Sequence, residues 1–538
     1  MCAAAAKVPA LGLPGAGGWN TEYVPYFQGI DRIAVWREPD DAGTKLTEDI
    51  GRDIPNARVI SHPVAKDPAD LFRLVGADEF RNQIEDLWKN APSASQLVDD
   101  ARNKEREQLL PEVGELLHDT SLAERIQETI TAGGFVGDIK PAMVVYMTLT
   151  GRLLERPPHL KLLGQSGSGK NAAINAGMQL FPESAYIEID AASNAYLVYG
   201  GESLQHRAVI LTEMDSMPRS DTNFASFFRT LMDKGRAVYR VTVEGQQGET
   251  RKGTSVLVEG PIAFITTGIK DLDSQAQSRM LTLNIDDDPE RVKLVSKMQG
   301  RRRSGDVKPA DTDRMRSLQR YLELCGPFTV VVPFWDTVID LMPQTFFTSV
   351  RQNRDSEHLL ACIETFAILY HVQRRRDDRD RIVAGIDDYE KAAALLDSLF
   401  RSVSADGVTE ADRDAYEAVQ RLHVSHPEGV SNAMLAKELR RTRSTISIRM
   451  RRLNEKGLVK NSSIKKHEYQ WSIASDLPDE SGLPAAESVR NKYGDRDVGN
   501  TTNIRTTSIP QAAGVFDSSP PYPRPALHET AADDVLEV

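Results

Sequence analysis

The chain has 538 residues, 40% hydrophobic and 27% charged, with a formal net charge of −12. That composition fits several globular domains and excludes a wholly disordered chain and a surface that attracts nucleic acid everywhere. Three cysteines far apart in sequence, Cys2, Cys325 and Cys362, form no metal-ligand spacing and no disulfide framework, as expected in a reducing cytoplasm. No apolar run reaches the roughly 18 residues that would span a bilayer, so a soluble protein with no membrane partner is expected.

Residues 1–90 read as an α/β piece, with strands at 33–36 and 58–61 and a helix at 41–53 between them. Residues 91–114 are polar and charged, a helical linker by composition. From 115 to 300 helices alternate with short β-rich runs at 161–163, 186–189, 208–211 and 262–266, which argues a mostly parallel sheet flanked by helices. Residues 301–405 are helix-rich, and Leu359, Ile363, Phe366 and Tyr370 fall on one helical stripe. Residues 406–474 form a small separate unit. Residues 475–538 carry 11 acidic and 5 basic residues without periodicity, and disorder is predicted there.

The run Gly164-Gln165-Ser166-Gly167-Ser168-Gly169-Lys170-Asn171-Ala172 fits the G-x-x-x-x-G-K pattern of a phosphate-binding loop, between a predicted strand and a predicted helix. Glycines let backbone N–H groups turn onto phosphate oxygens, the helix N-terminus adds its positive end, and Lys170 reaches the outer phosphates. ATP is the expected cofactor. Asn171 stands where Ser or Thr normally holds Mg²⁺, so this residue is the tentative metal ligand of the loop.

Further on, Arg207-Ala-Val-Ile-Leu-Thr-Glu-Met-Asp215 resembles the second motif of such ATPases, in which a buried strand delivers carboxylates to the phosphates. The resemblance makes Glu213 the base that activates water and Asp215 a helper for Mg²⁺, with Thr212 in the usual Asp position. A third strand ends in Thr266-Thr267, where AAA+ ATPases place a polar sensor of the γ-phosphate. Arg279 follows twelve residues later, at a spacing similar to that of the AAA+ arginine that reaches a neighbouring subunit's nucleotide. Between the second motif and the third strand, residues 236–259 read as a β-hairpin with a glycine-bearing tip. It resembles the pore hairpin of superfamily 3 helicases, which implies that Arg251 and Lys252 track a DNA backbone.

Gly12-Leu-Pro-Gly-Ala16, Glu38-Pro-Asp-Asp-Ala-Gly43 and Lys66-Asp-Pro-Ala-Asp-Leu71 resemble the later part of a Toprim domain. The resemblance implies Mg²⁺ at Glu38 and Asp40. The family also carries an upstream Glu that has no counterpart here, so either a truncated chain or a remnant of the domain is expected, without primer synthesis by this chain alone.

Residues 409–474 resemble a winged helix-turn-helix. Ser431–Leu439 is the first helix of the pair, with Ser431 or Asn432 as its N-cap, and Arg443–Leu453 is the recognition helix. Ile446, Met450 and Leu453 form the inward face of the second helix; Ser444, Ser447 and Arg451 share another face, with Arg443 at its start. Lys465 and Lys466 lie near the wing tip. Residues 434–467 hold 11 Lys or Arg against 2 Glu, a local balance of +9 in an acidic chain, so DNA binding is expected to be salt-sensitive.

The fold expected is multidomain α/β: a partial Toprim-like piece, a P-loop AAA+-type ATPase with a helical lid, a winged helix-turn-helix and a disordered tail. This order resembles primase–helicases of phages, plasmids and other mobile elements. It implies an ATP-driven DNA helicase that binds single-stranded and duplex DNA, forms a homo-oligomeric ring (a hexamer above other sizes), and works with primase or other replication partners. The alternative is a nucleotide-gated DNA-binding regulator of transcription or replication initiation. The departures at Asn171 and Thr212, which weaken metal ligation, favour that alternative.

Overall fold

In the computed structural model the chain divides into two units, Met1–Pro111 and Glu112–Val538. The structure describes residues 6–13, 15, 18–189, 203–212, 222–243, 252–268, 279–285, 289–305, 310–342, 352–404, 410–462, 469–475, 477 and 482–497.

In the first unit, β1 (Ala34–Trp36) and β2 (Arg58–Ile60) pair in parallel, and helix Asp41–Asp53 connects them. Asp40 caps that helix: its Oδ1 accepts the Gly43 N–H at 2.7 Å. A Cβ on Gly43 would lie 2.6 Å from the Glu38 carbonyl oxygen, so the turn needs glycine. Ile33, Val35, Ile50, Ile54 and Ala57 form the small core beneath. Helix Ala94–Leu117 begins and ends three residues later than the linker expected at 91–114 and contains Pro111.

The second unit is built on one five-stranded parallel sheet. Its strands are β3 (His159–Leu163), β4 (Tyr186–Ile189), β5 (Arg207–Leu211), β8 (Ile262–Gly268) and β9 (Leu281–Asn284), in the order β4-β5-β8-β3-β9. Alternate residues feed two cores. Leu160, Leu162, Ala208, Ile210, Ala263 and Ile265 enter the larger, while Val209, Leu211, Ile262 and Phe264 enter the smaller. Both faces are therefore covered, which explains why these strands read as apolar runs. Helices Lys140–Thr150 and Lys170–Met178 cover the first face, and helix Thr222–Lys234 covers the second through Phe227, Phe228 and Leu231. β9 went unread in the sequence because Leu-Thr-Leu-Asn is short and only partly buried.

An antiparallel hairpin, β6 (Arg236–Val243) and β7 (Lys252–Glu259), stands between β5 and β8 in sequence. Ala237 and Val258 root it in the smaller core. The helices at 312–325, 352–369 and 386–404 share the larger core with the sheet. The stripe Leu359, Ile363, Phe366 and Tyr370 is buried there.

Residues 410–473 form a separate cluster of three helices, Glu410–His423, Asn432–Glu438 and Arg443–Glu455. With them goes an antiparallel ribbon, β12 (Val459–Asn461) with β13 (Trp471–Ile473); β10 (Val330–Val331) and β11 (Ile382–Val383) form a short parallel pair among the helices of 312–404. Val430 bridges Trp471, and the indole of Trp471 donates to the Asn432 side chain at 2.7 Å.

The disorder predicted for 475–538 is corrected over its described residues. Helix Ala486–Asp497 packs against the helices at 386–404 and 335–341, with Val489 fully buried in the larger core. The Tyr389 hydroxyl donates to the Pro484 carbonyl at 2.6 Å, and the Leu483 N–H to Asp397 at 2.9 Å. Acidic composition misled the reading, because docking rather than periodicity supplies this helix's stability.

Candidate nucleotide site

The register aligns three strand ends. Leu162 pairs with Thr267, Leu163 with Gly268 and Leu211 with Thr266. The glycine loop after β3, Thr212 after β5 and the Thr266–Thr267 end of β8 therefore lie on one edge of the sheet. Carboxyl ends of parallel strands are where α/β folds bind ligands. Thr266 Oγ1 donates to the Leu211 carbonyl at 2.8 Å, tying the second of these strands to the third.

The loop geometry follows from its glycines. Gly167 and Gly169 have φ of 83° and 91°, where a Cβ would be strained. A Cβ on Gly164 would meet the Ile285 carbonyl and Ser168 Oγ, each at 2.6 Å. Lys170 Nζ donates to the carbonyls of Gly164 and Gln165 at 2.7 and 2.8 Å, so the ammonium sits inside the turn. Helix Lys170–Met178 begins there, with Asn171, Ala172 and Asn175 exposed and its other face buried against helix Lys140–Thr150. Gly177 allows that approach, since its Cβ would lie 2.6 Å from Val145 Cγ1.

A cavity of about 340 Å³ adjoins the exposed face of this helix. Gly134, Phe135, Ala172, Asn175, Val295 and Met298 are among its walls. Its mixed polar and apolar lining beside a phosphate-type loop is of a size to take a purine base.

Two buried polar residues of β3 escaped the sequence reading. His159 and Lys161 alternate with Leu160 and Leu162, so they point to the opposite face. Burial pushes the His159 imidazole down to about 4, so it is neutral at pH 7. Arg279, read as a residue reaching another subunit, holds Asp233 of its own chain here, with Nε 2.7 and 2.9 Å from the two carboxylate oxygens. Thr267 is buried, at 1% exposure, and Thr212 is half-buried. Glu213, Asp215 and Arg251 lie outside the described residues; Lys252 pairs through its backbone with Val243.

Elsewhere, Glu38 and Asp40 are exposed, and Asp40 is engaged as a helix cap. Among the described residues no group of three His, Cys, Asp or Glu could hold a metal ion. In the 410–473 cluster, Ile446, Met450 and Leu453 are fully buried, while Arg443, Ser444 and Arg451 are exposed and Ser447 is half-buried. Ser431 caps the first helix of the pair through the Met434 N–H, and Thr442 caps the second through Thr445. Lys465 and Lys466 lie outside the described residues.

Residues 110–321 match the family model described as the MTBMA_p00010 P-loop domain. The chain carries a P-loop domain. Its matched span contains the glycine loop and all five strands of the sheet. The Gene 57 protein of Mycobacterium phage D29 is 27% identical over 77 residues, 14% of this chain and 51% of that protein, so the chain spans about half the length of this curated relative. Two solved structures are also similar. NtrX from Brucella abortus in complex with ADP is 14% identical over 78% of this chain and 88% of its own, with a TM-score of 0.21. The JCV helicase is 13% identical over 55% and 78%, with a TM-score of 0.23. Scores of this size say nothing about the fold of the P-loop domain. No helix among the described residues is long and apolar enough to cross a membrane.

Proposed function

We propose that the chain is an ATP-driven DNA motor of helicase type, working in the replication of a mobile element. The observation that carries this is the alignment of the glycine loop, the β5 end and the β8 end on one sheet edge. A nucleotide held by the loop amides and Lys170 has its outer phosphates at that edge, where Glu213 activates water and Thr267 responds to the γ-phosphate. The oxygen of Asn171 is a neutral donor suited to Mg²⁺, and the carboxylates of Glu213 and Asp215 supply negative charge for it. Mg²⁺, when bound, would offset the negative charge of the phosphate oxygens and so ease the approach of the attacking water. Arg279 exchanges Asp233 for a neighbouring subunit's nucleotide in a ring. The hairpin tip with Arg251 and Lys252 grips single-stranded DNA, and the helix Arg443–Glu455 lies in duplex as in a winged helix, with Lys465 and Lys466 on its backbone. The phage protein among the relatives supports the setting in a mobile element.

ATP hydrolysis with and without single-stranded DNA is the test. Lys170→Ala should abolish nucleotide binding, and Glu213→Gln should bind ATP and DNA together without turnover. Unchanged hydrolysis in both variants would sink the assignment.

The second reading, a nucleotide-gated DNA-binding regulator, draws on Asn171 and Thr212 at two positions where metal ligation is expected. Sequence-specific protection of duplex DNA without unwinding would favour it.

A further inference from the structure

Helix Pro289–Ser304 has two faces with different chemistry. One carries Val295 and Met298 into the cavity beside Ala172 and Asn175 of the glycine-loop helix. The opposite face carries Lys293, Lys297 and Arg301 at i, i+4 and i+8, all exposed. A rise of about 1.5 Å per residue spreads these three cations along a line of about 12 Å. The sequence of this helix holds 6 Lys or Arg against a single Glu, in a chain whose balance is −12.

The stripe differs from the basic side chains of the next helix. On the next helix Arg314 pairs with Glu115, Arg316 with Asp313 and Arg320 with Glu323. Lys293, Lys297 and Arg301 have no carboxylate within ion-pair distance among the described residues. Three neighbouring like charges repel, so a line of them attracts an anionic partner. A strand of B-form DNA places about three to four phosphates over a length of about 12 Å. Protein interfaces are depleted in lysine, whereas phosphate backbones are bound by lysine and arginine alike. The exposed apolar residues of the helix, Val292 and Leu294, fall on either side of the line rather than forming a patch with it.

We propose that Lys293, Lys297 and Arg301 form a sequence-independent contact for a nucleic-acid phosphate backbone, separate from the hairpin tip and from the helix Arg443–Glu455. The contact rests on the DNA-binding half of the function proposed above and not on hydrolysis. Because the same helix walls the cavity, DNA on one face and nucleotide on the other act on a single rigid element.

The test compares the full chain with its K293Q/K297Q/R301Q variant, using a fluorescein-labelled 30-nucleotide oligo-dT titrated at several salt concentrations. The variant should bind at least about tenfold more weakly at low salt, and the slope of log K against log salt should flatten by about 2, close to 0.7 per lost phosphate contact. Binding of a fluorescent ADP analogue and the melting temperature should stay at wild-type values. K293R/K297R should bind DNA like the wild type. Equal affinity and slope in wild type and triple variant overturn the proposal while leaving the DNA-motor reading standing. A wild-type chain that binds neither oligo-dT nor duplex overturns both. DNA loss accompanied by a smaller assembly in sedimentation assigns the stripe to a subunit contact and overturns it as well.

Discussion

Arg279 grips Asp233 of the same chain through both carboxylate oxygens, although its spacing after Thr267 resembles that of an AAA+ arginine acting between subunits. In a ring it must leave this partner to reach a neighbour's phosphates. Arg279→Ala is expected to lower kcat by about 10³ if the arginine stabilises transition-state charge. Asp233→Asn should raise kcat a few-fold by releasing it. ATPase rates measured across protein concentration check both, and equal rates in wild type and Arg279→Ala remove the assignment.

Asn171 is exposed on the first turn of the glycine-loop helix, so its replacement disturbs no packing. Asn171→Thr supplies the hydroxyl usual at this position. Hydrolysis by that variant should reach half-maximum at several-fold lower Mg²⁺, read from a magnesium titration of the ATPase rate.

Gly164→Ala puts a Cβ against the Ile285 carbonyl and Ser168 Oγ. Backbone on one side cannot yield cheaply, so the loop must shift. Loss of about 1–3 kcal/mol in stability is expected, together with loss of nucleotide binding. Denaturant unfolding and ADP-analogue fluorescence report the two effects separately.

Burial pushes the Glu364 carboxyl up to about 7, with Arg156 opposing and Glu155 reinforcing the shift. The native state therefore binds this proton more tightly than the unfolded chain does. Its contribution is fully present below the unfolded value near 4.5 and is lost as pH rises through about 7. Glu364→Gln should be more stable than wild type at pH 8, by about 2–3 kcal/mol, and the gap should close by pH 4. Thermal melts across that range measure it.

Val489→Asp places a carboxylate in the larger core, where Val489 is fully buried. The docked helix should detach at a cost on the order of 3 kcal/mol, exposing 482–497 to protease while the sheet stays folded.

The sequence made the main strands legible because Ala208–Leu211 and Ile262–Ile265 are buried on both faces and carry unbroken apolar runs. The glycine loop was legible because its φ values admit little else at Gly167 and Gly169. Leu281–Asn284 was not, since its residues are only partly buried and its place beside β3 is fixed by long-range pairing. The helix Ala486–Asp497 was hidden for a related reason: it has few apolar anchors, chiefly Val489 and Tyr493, and its partners lie about a hundred residues upstream. Asp233 carries no motif, so its pairing with Arg279 appears only once helix Thr222–Lys234 has been placed. The exposure of Ser444 and Arg451 on helix Arg443–Glu455, by contrast, followed directly from helical spacing, with Ser447 half-buried between them.

The hairpin β6–β7 continues into β8 through Gly260 and Pro261, and the Gly260 N–H bonds the Gly235 carbonyl at 2.6 Å across its base. Eight paired residues at about 3.4 Å each make an arm of about 27 Å. Its fulcrum is a pair of glycines, and its short end is the strand that carries Thr266 and Thr267. A displacement of about 5 Å at the far end turns that fulcrum by about 10°. On the reading proposed above, the hairpin would act as a lever, turning travel of a strand held at its far end into torque at the Thr266–Thr267 edge, and torque there into travel.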